Sequence, residues 1–211
     1  MIKTGKEHLS QLRDGRVVYI GDEKIDDVTT HPAFEKAAQK VAELYDIKHQ
    51  EIYKDVLSYE ENGELCSTWF LQAKNKSDLR KRSKAHKVIA DQTSGMMGRS
   101  MDHVASFVTG MSTNPDIFDS GKYKFKENLL NYYKYMKKND VFASYAVVPP
   151  QAARNPEFYQ KQNLPIPTLS VVEENKKGVI ISGMKMLATS AVFANEIWIG
   201  NLVPLAPDQI K

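Results

Sequence analysis

Cysteine is almost missing from this chain, with Cys66 alone among 211 residues. One thiol excludes an internal disulfide framework and any cysteine-rich zinc or iron–sulfur centre built from this chain alone, and it fits a reducing, cytoplasmic setting. Long apolar runs are missing too: nothing approaches the ~18 consecutive apolar residues of a membrane-spanning helix. The polar start Met1-Ile2-Lys3-Thr4-Gly5-Lys6-Glu7 has no apolar stretch of a secretory signal, so neither secretion nor a membrane is expected. Fixed-period repeats and low-complexity tracts are absent. Charge of one sign is not in excess, since 29 Lys+Arg against 26 Asp+Glu leave +3, too mild to argue for nucleic acid. His8, His31, His49 and His86 have no metal-ligand spacing and are expected to be surface or packing residues, and no metal site is expected.

What is present is an ordinary globular composition. With 42% hydrophobic and 26% charged residues, the chain can bury a real core as one large or two small domains. Residues 16–20 (RVVYI) form a short β-rich run. Residues 26–32 read as a loop entering a helix, with Pro32 at its first turn. Phe34, Ala37, Ala38, Val41, Leu44 and Tyr45 recur at helical spacing and predict one buried face. Residues 65–71 are expected to be extended. A second helix is expected from Ser77, as N-cap, to the break at Ser94-Gly95, a third over 99–109 and a fourth over 125–138. After Asn139-Asp140 the character changes: residues 141–148, 169–173, 179–182 and 196–203 are β-type runs, with 174–178 as a hairpin connection. Helices first and strands afterwards predict an α+β fold with a boundary near residue 140.

Two segments are dense in lysine and arginine, residues 74–87 and 122–138, the second interleaved with tyrosines. Such a pattern can serve a nucleic acid. With so small a net charge, the favoured reading is two solvated faces of amphipathic helices. Cys66, with no histidine near it in sequence, is expected to be a half-buried strand residue rather than a nucleophile.

Two other segments carry chemistry. In 95–103 (GMMGRSMDH), Arg99 and His103 share a helix face directly after a glycine-flanked break. In 145–154 (YAVVPPQAAR), a strand ends in a rigid turn that presents an amide and a guanidinium, groups suited to a phosphate or a polar ring edge.

The segments Thr4-Gly5-Lys6-Glu7, Leu12-Arg13-Asp14-Gly15-Arg16, Asp27-Val28-Thr29-Thr30-His31-Pro32-Ala33-Phe34, Asp78-Leu79-Arg80-Lys81-Arg82 with Ala85-His86-Lys87, and Met97-Gly98-Arg99-Ser100 with Asp102 follow one another along the chain. So do Pro150-Gln151 with Arg154, and residues 183–196 containing Lys185-Met186-Leu187-Ala188-Thr189. In this order they resemble the motifs of the oxygenase (large) component of 4-hydroxyphenylacetate 3-monooxygenase, over nearly the whole chain. The resemblance implies an acyl-CoA-dehydrogenase-like architecture: a helical N-terminal domain over 1–140 and a β-rich, antiparallel middle domain over 141–211 that is incomplete. The C-terminal helical bundle of that family is expected to be absent from this chain, which on its own is then expected to bind FAD weakly.

The resemblance also implies the chemistry. FADH2, delivered by a separate NAD(P)H–flavin reductase, reacts with O2 to give a flavin C4a-hydroperoxide, which hydroxylates a small phenol ortho to its hydroxyl and leaves a catechol. By the same resemblance Arg99, His103 and Tyr145 are the catalytic residues. Arg99, Ser100, Met101, Asp102, His103, Tyr145, Asn201 and Leu202 bind substrate, and Tyr145, Ala146, Val147, Gln151, Ala152, Ala153, Arg154 and Thr189 hold FAD. The full-length assembly is implied to be a homotetramer. One departure stands out: family members generally carry tyrosine where this chain has His103 and histidine where it has Tyr145, so the two types are exchanged. Alternatives are a flavoprotein of the 4-hydroxybutyryl-CoA dehydratase type, for which residues 95–110 hold no cysteine for an iron–sulfur cluster, a flavin-binding remnant without activity, and a nucleic-acid-binding module.

Overall fold

The computed structural model describes residues 2–97, 101–119, 124–176 and 178–200. The chain divides into two compact units, one of Met1–Ser144 with Ser190–Glu196, the other of Tyr145–Thr189 with the stretch that begins at Ile197.

The first unit begins with helix α1 (Gly5–Gln11), started by a capping box in which the Thr4 side chain accepts from Glu7 N–H and the Glu7 carboxylate accepts from Thr4 N–H. It packs on α2 (Glu35–Asp46). The contact is so close that a Cβ on Gly5 would lie 2.5 Å from the Ala42 carbonyl oxygen, and Gly5 N–H donates to Asp46 at 2.7 Å. Helix α2 buries Ala38, Val41, Ala42, Leu44 and Tyr45. Ala37, predicted on that face, is exposed, and Phe34 precedes the helix, its ring edge-on to Phe193 at 6.0 Å.

Strands β1 (Val18–Ile20) and β2 (Glu23–Ile25) form an antiparallel hairpin. After α3 (Glu51–Leu57) a second hairpin follows, β3 (Ser58–Glu61) and β4 (Glu64–Ser67), turning at Asn62-Gly63 with both φ positive. The first unit therefore mixes hairpins among its helices, unlike the helices-first order read from the sequence. The extended run predicted over 65–71 stops at Ser67, and Thr68–Phe70 form a 3-10 turn. Its cause is tertiary: Thr68 Oγ1 donates to Val56 O at 2.7 Å, and Trp69 and Phe70 are buried.

Helix α4 (Lys76–Gln92) is capped by Asn75, which accepts from Asp78 N–H at 3.0 Å, so the cap falls two residues before the predicted Ser77. Helices α5 (Asp102–Met111) and α6 (Lys126–Asn139) follow. Cys66 is more buried than expected, and burial pushes its thiol up.

Helix α6 ends at Asp140, in the left-handed region with φ 45°. Its carboxylate sits 2.6 Å from Lys48 Nζ, both side chains fully buried, and accepts from Lys3 N–H at 3.1 Å. Lys48 lies over the Trp69 and Tyr45 rings at 3.7 and 4.3 Å, and the buried His8 ring stacks on Tyr45 at 4.6 Å. This network also fastens residues 190–196: His8 Nε2 is 3.0 Å from Phe193 O, Lys3 Nζ donates to Asn195 Oδ1 at 2.9 Å, and Arg16 donates to Val192 O at 2.9 Å.

In the second unit, α7 (Pro156–Lys161) precedes the antiparallel hairpin of β6 (Ser170–Asn175) and β7 (Gly178–Ser182) predicted from the sequence. Strand β5 (Ala143–Ala146) pairs with β8 (Glu196–Ile199), and the division between the units falls within both strands. Of the run predicted over 141–148, Val148 contributes an isolated antiparallel bridge to Met186.

Candidate functional site

In the first unit the site is built around the start of α5. Helix α4 ends where the sequence predicted, with Ser94 and Gly95 at φ 51° and 74° and Gly95 N–H donating to Ala90 O at 2.8 Å. Arg99 and Ser100 lie outside the described residues. Met101 and Asp102 are buried, and His103 is half-buried, its ring edge-on to Phe107 at 5.6 Å, one helical turn on.

Helix α5 is held rigidly. Val104, Ala105 and Val108 are fully buried. The Arg82 guanidinium donates to the carbonyls of Thr68, Trp69 and Leu71 at 3.3, 2.8 and 2.9 Å and to Ser106 Oγ at 2.7 Å. Thr109 Oγ1 donates to Trp69 O at 3.2 Å. One guanidinium thus joins the Thr68–Phe70 turn to the middle of α5, a rigid mount for a side chain that must hold its place. Beside His103, Asp102 Oδ2 is 2.7 Å from His86 Nδ1 on α4. That hydrogen bond holds the His86 pKa above its ordinary value, against the opposing effect of partial burial.

In the second unit Tyr145 is half-buried on β5, followed by buried Ala146 and Val147. Gly200 N–H donates to Ala146 O at 3.0 Å, and Met186 N–H to Val148 O at 2.8 Å. The buried Pro150 opens a 3-10 turn over Gln151–Arg154, with Ala153 N–H donating to Pro150 O at 3.0 Å. Asn155 then caps α7, accepting from Phe158 N–H at 3.3 Å. Gln151 and Arg154 are exposed, and Arg154 has no ion-pair partner among the described residues. An amide and an uncommitted guanidinium on one short turn suit a phosphate or a polar ring edge. Thr189 is exposed, its N–H donating to Leu187 O at 3.1 Å. Asn201 and Leu202 lie outside the described residues.

The structure thus places Met101, Asp102 and His103 together on one helix start, and Tyr145, Ala146, Val147, Gln151, Ala152, Ala153, Arg154 and Thr189 in the other unit. Sequence reasoning passed over Arg82 and His86. Both were read within a basic run whose charges face solvent, and nothing in chain spacing pairs His86 with an aspartate on the next helix. No group of three or more metal-ligating side chains occurs among the described residues, and none of their helices is long and apolar enough to cross a membrane.

Comparison with known proteins gives this arrangement its family. The sequence profile described as 4-hydroxyphenylacetate 3-hydroxylase, N-terminal, matches residues 4–209. The 4-hydroxyphenylacetate 3-monooxygenase oxygenase component of Thermus thermophilus is 38% identical over 90% of this chain and 38% of its own length. The 2,4,6-trichlorophenol monooxygenase of Cupriavidus pinatubonensis is 35% identical over 95% of this chain and 40% of its own. The crystal structure of a 4-hydroxyphenylacetate 3-monooxygenase oxygenase component complexed with FAD and 4-hydroxyphenylacetate superposes with a TM-score of 0.83 at 36% identity, over 93% of this chain and 40% of that one. A 4-hydroxybutyryl-CoA dehydratase from N. maritimus shares the fold, with a TM-score of 0.78 at 20% identity over 98% of this chain and 41% of that one. The chain spans about two fifths of the length of the curated relatives it matches.

Proposed function

We propose that this chain, which belongs to the 4-hydroxyphenylacetate 3-hydroxylase N-terminal family, is part of the oxygenase component of a two-component, FADH2-dependent monooxygenase that converts a phenol to a catechol. The observation that carries the reading is family membership over residues 4–209, from end to end of both candidate segments. The acyl-CoA-dehydrogenase-like division, helical over 1–140 and β-rich over 141–211, belongs to the same proposal, as do a separate NAD(P)H–flavin reductase, a homotetrameric full-length protein and a cytoplasmic setting.

Reduced FAD, when bound, supplies the two electrons that turn one atom of O2 into water while the other becomes the new hydroxyl. The protein's own part is to bind, orient and exclude water. Arg99 stabilises negative charge on the phenol oxygen and raises the electron density of the ortho carbon. His103, on a helix braced by Arg82, holds a hydrogen bond to that oxygen and takes up or returns its proton at a ring nitrogen. Tyr145 supplies a phenolic hydroxyl, a second donor and acceptor. Gln151 and Arg154 offer polar contacts to the flavin, with the guanidinium matched to its phosphates.

The exchange of histidine and tyrosine between positions 103 and 145 keeps one imidazole and one phenol in the set, so the reaction type is retained while the preferred phenol is open. The named relatives act on 4-hydroxyphenylacetate and on 2,4,6-trichlorophenol, and either a carboxylated or a halogenated phenol fits the proposal. The dehydratase reading rests on fold alone, and residues 95–110 lack the cysteines its cluster would need.

The test is to load the full-length protein with FADH2 without oxygen, admit labelled O2 in the presence of a panel of phenols, and analyse products by mass. Incorporation of one labelled atom ortho to the phenol hydroxyl, lost in Arg99→Ala, is expected. FADH2 affinity, measured without oxygen, is expected to fall in Arg154→Ala and to stay unchanged in Arg99→Ala. Tight FADH2 binding with no catechol from any phenol overturns the reading.

A further inference from the structure

Gly200 and Lys185 meet at the end of β5 that carries Tyr145, and neither belongs to the residue set assigned above. A Cβ built on Gly200 would stand 2.6 Å from the Tyr145 hydroxyl oxygen, 2.8 Å from Cε2 and 3.0 Å from Cζ. Real Cβ atoms essentially never stand closer than 3.0 Å to another heavy atom, so the tyrosine ring lies in the space that a side chain at position 200 would fill. The backbone there is fixed as well, with Gly200 N–H donating to Ala146 O at 3.0 Å. Lys185, part-buried, donates from the same Nζ to Val147 O at 3.2 Å and to Gly200 O at 3.0 Å. One ammonium therefore ties the strand just after Tyr145 to the residue against which the ring rests. Hydrogen bonds from a charged donor to two carbonyls are stronger than neutral ones, and both are lost when the nitrogen is removed.

The geometry points to Gly200 and Lys185 as positioning residues for Tyr145: the glycine leaves the berth in which the phenol ring lies, and the lysine clamps the two backbones that frame it. Neither touches the reacting atoms in this assignment. What they set is the direction and depth of the Tyr145 hydroxyl, and so which phenols fit beside it. The link to phenol choice rests on the proposed function; the link to ring position does not.

The test separates the two. The full-length protein carries 3-fluorotyrosine at position 145 alone, and its fluorine resonance is compared among variants. Gly200→Ala and Lys185→Met are each expected to shift that resonance, and Lys185→Arg, which keeps a cation for both carbonyls, to bring it back towards the parent. Gly110→Ala is the control, because a Cβ there meets nothing within 4 Å. In thermal unfolding, Gly200→Ala is expected to lower Tm in the parent and to lose most of that effect in a Tyr145→Ala background, where the berth is vacant. In turnover, kcat/KM is expected to fall by as much as about 100-fold for Gly200→Ala, as misplacement of a catalytic group by about an ångström allows, and the order of preference among phenols to change. An unmoved resonance in both Gly200→Ala and Lys185→Met, or a Tm loss independent of residue 145, overturns the inference. Shifts and coupling without hydroxylation of any phenol leave the positioning standing and sink the functional reading alone.

Discussion

The surroundings of Asp140 and the β6–β7 hairpin use opposite means to hold their shape. Around Asp140 charged and aromatic groups are fully enclosed: Lys48, His8 and Tyr45 show almost no surface, and each has a named partner. In the hairpin every described residue is exposed, including Val171 at 61%, Val172 at 60% and Val179 at 54%. Both regions have clear sequence signals, a helix end in one and β-branched runs around a turn in the other. Pattern alone therefore decides local structure in both, whereas burial adds stability only in the first. An isolated two-stranded hairpin is marginal in water, while a buried ion pair is costly to break because the surviving charge stays enclosed.

The largest expected effect follows from that difference. Lys48→Met leaves the Asp140 carboxylate buried without its cation, and should lower unfolding stability by ~3–5 kcal/mol. Urea denaturation of the full-length protein checks it. A loss below ~1 kcal/mol would place Asp140 among ordinary surface contacts and remove the contrast with the hairpin.

Acid should strain the same network. Burial and the nearby Lys3 charge hold the His8 pKa at about 3, below the 6.5 of an unhindered imidazole. Below pH ~6.5 the unfolded chain takes up a proton that the folded chain refuses, so stability is lost as pH falls from there towards 3 by at most ~1.4 kcal/mol per unit. His8→Gln should flatten that slope in a series of thermal midpoints. His86 has the reverse sign. Hydrogen bonding to Asp102 raises its pKa, so its contribution is complete below pH ~6.5 and fades as pH rises through the raised value. Since His86 is exposed, its effect should be the smaller one, visible as a shallow alkaline decline that His86→Gln removes.

How much of this was legible beforehand depended on whether the cause is local. The break at Ser94-Gly95, α6 and the β6–β7 hairpin follow from spacing and turn residues, and so does most of the α2 face, where Ala38, Val41, Leu44 and Tyr45 are buried while Ala37 is exposed and Phe34 precedes the helix. The extended run predicted over 65–71 stops at Ser67 because Thr68 donates to Val56 O and Arg82, from α4, donates to the carbonyls of Thr68, Trp69 and Leu71, a tertiary pull that no propensity contains. The short helices α1, α3 and α7 offer too few turns for a periodic signal. At the site, colinear motifs pointed to His103 and Tyr145, but His86–Asp102 joins neighbouring helices and Gly200 acts by leaving room for the Tyr145 ring. A missing side chain leaves no mark in composition or period.

The smallest effect is also the sharpest test of the opening contrast. Ile180 is 48% exposed on β7. Ile180→Thr keeps the branch at Cβ and with it the strand preference. It exchanges apolar for polar surface without opening a cavity, so the change in unfolding free energy should stay within ~0.5 kcal/mol. The measurement belongs on the full-length protein, beside Lys48→Met in the same denaturant series. A loss of ~2 kcal/mol or more would mean that Ile180 is buried there against another surface. The hairpin would then be stabilised by burial like the surroundings of Asp140, differing only in where its covering comes from.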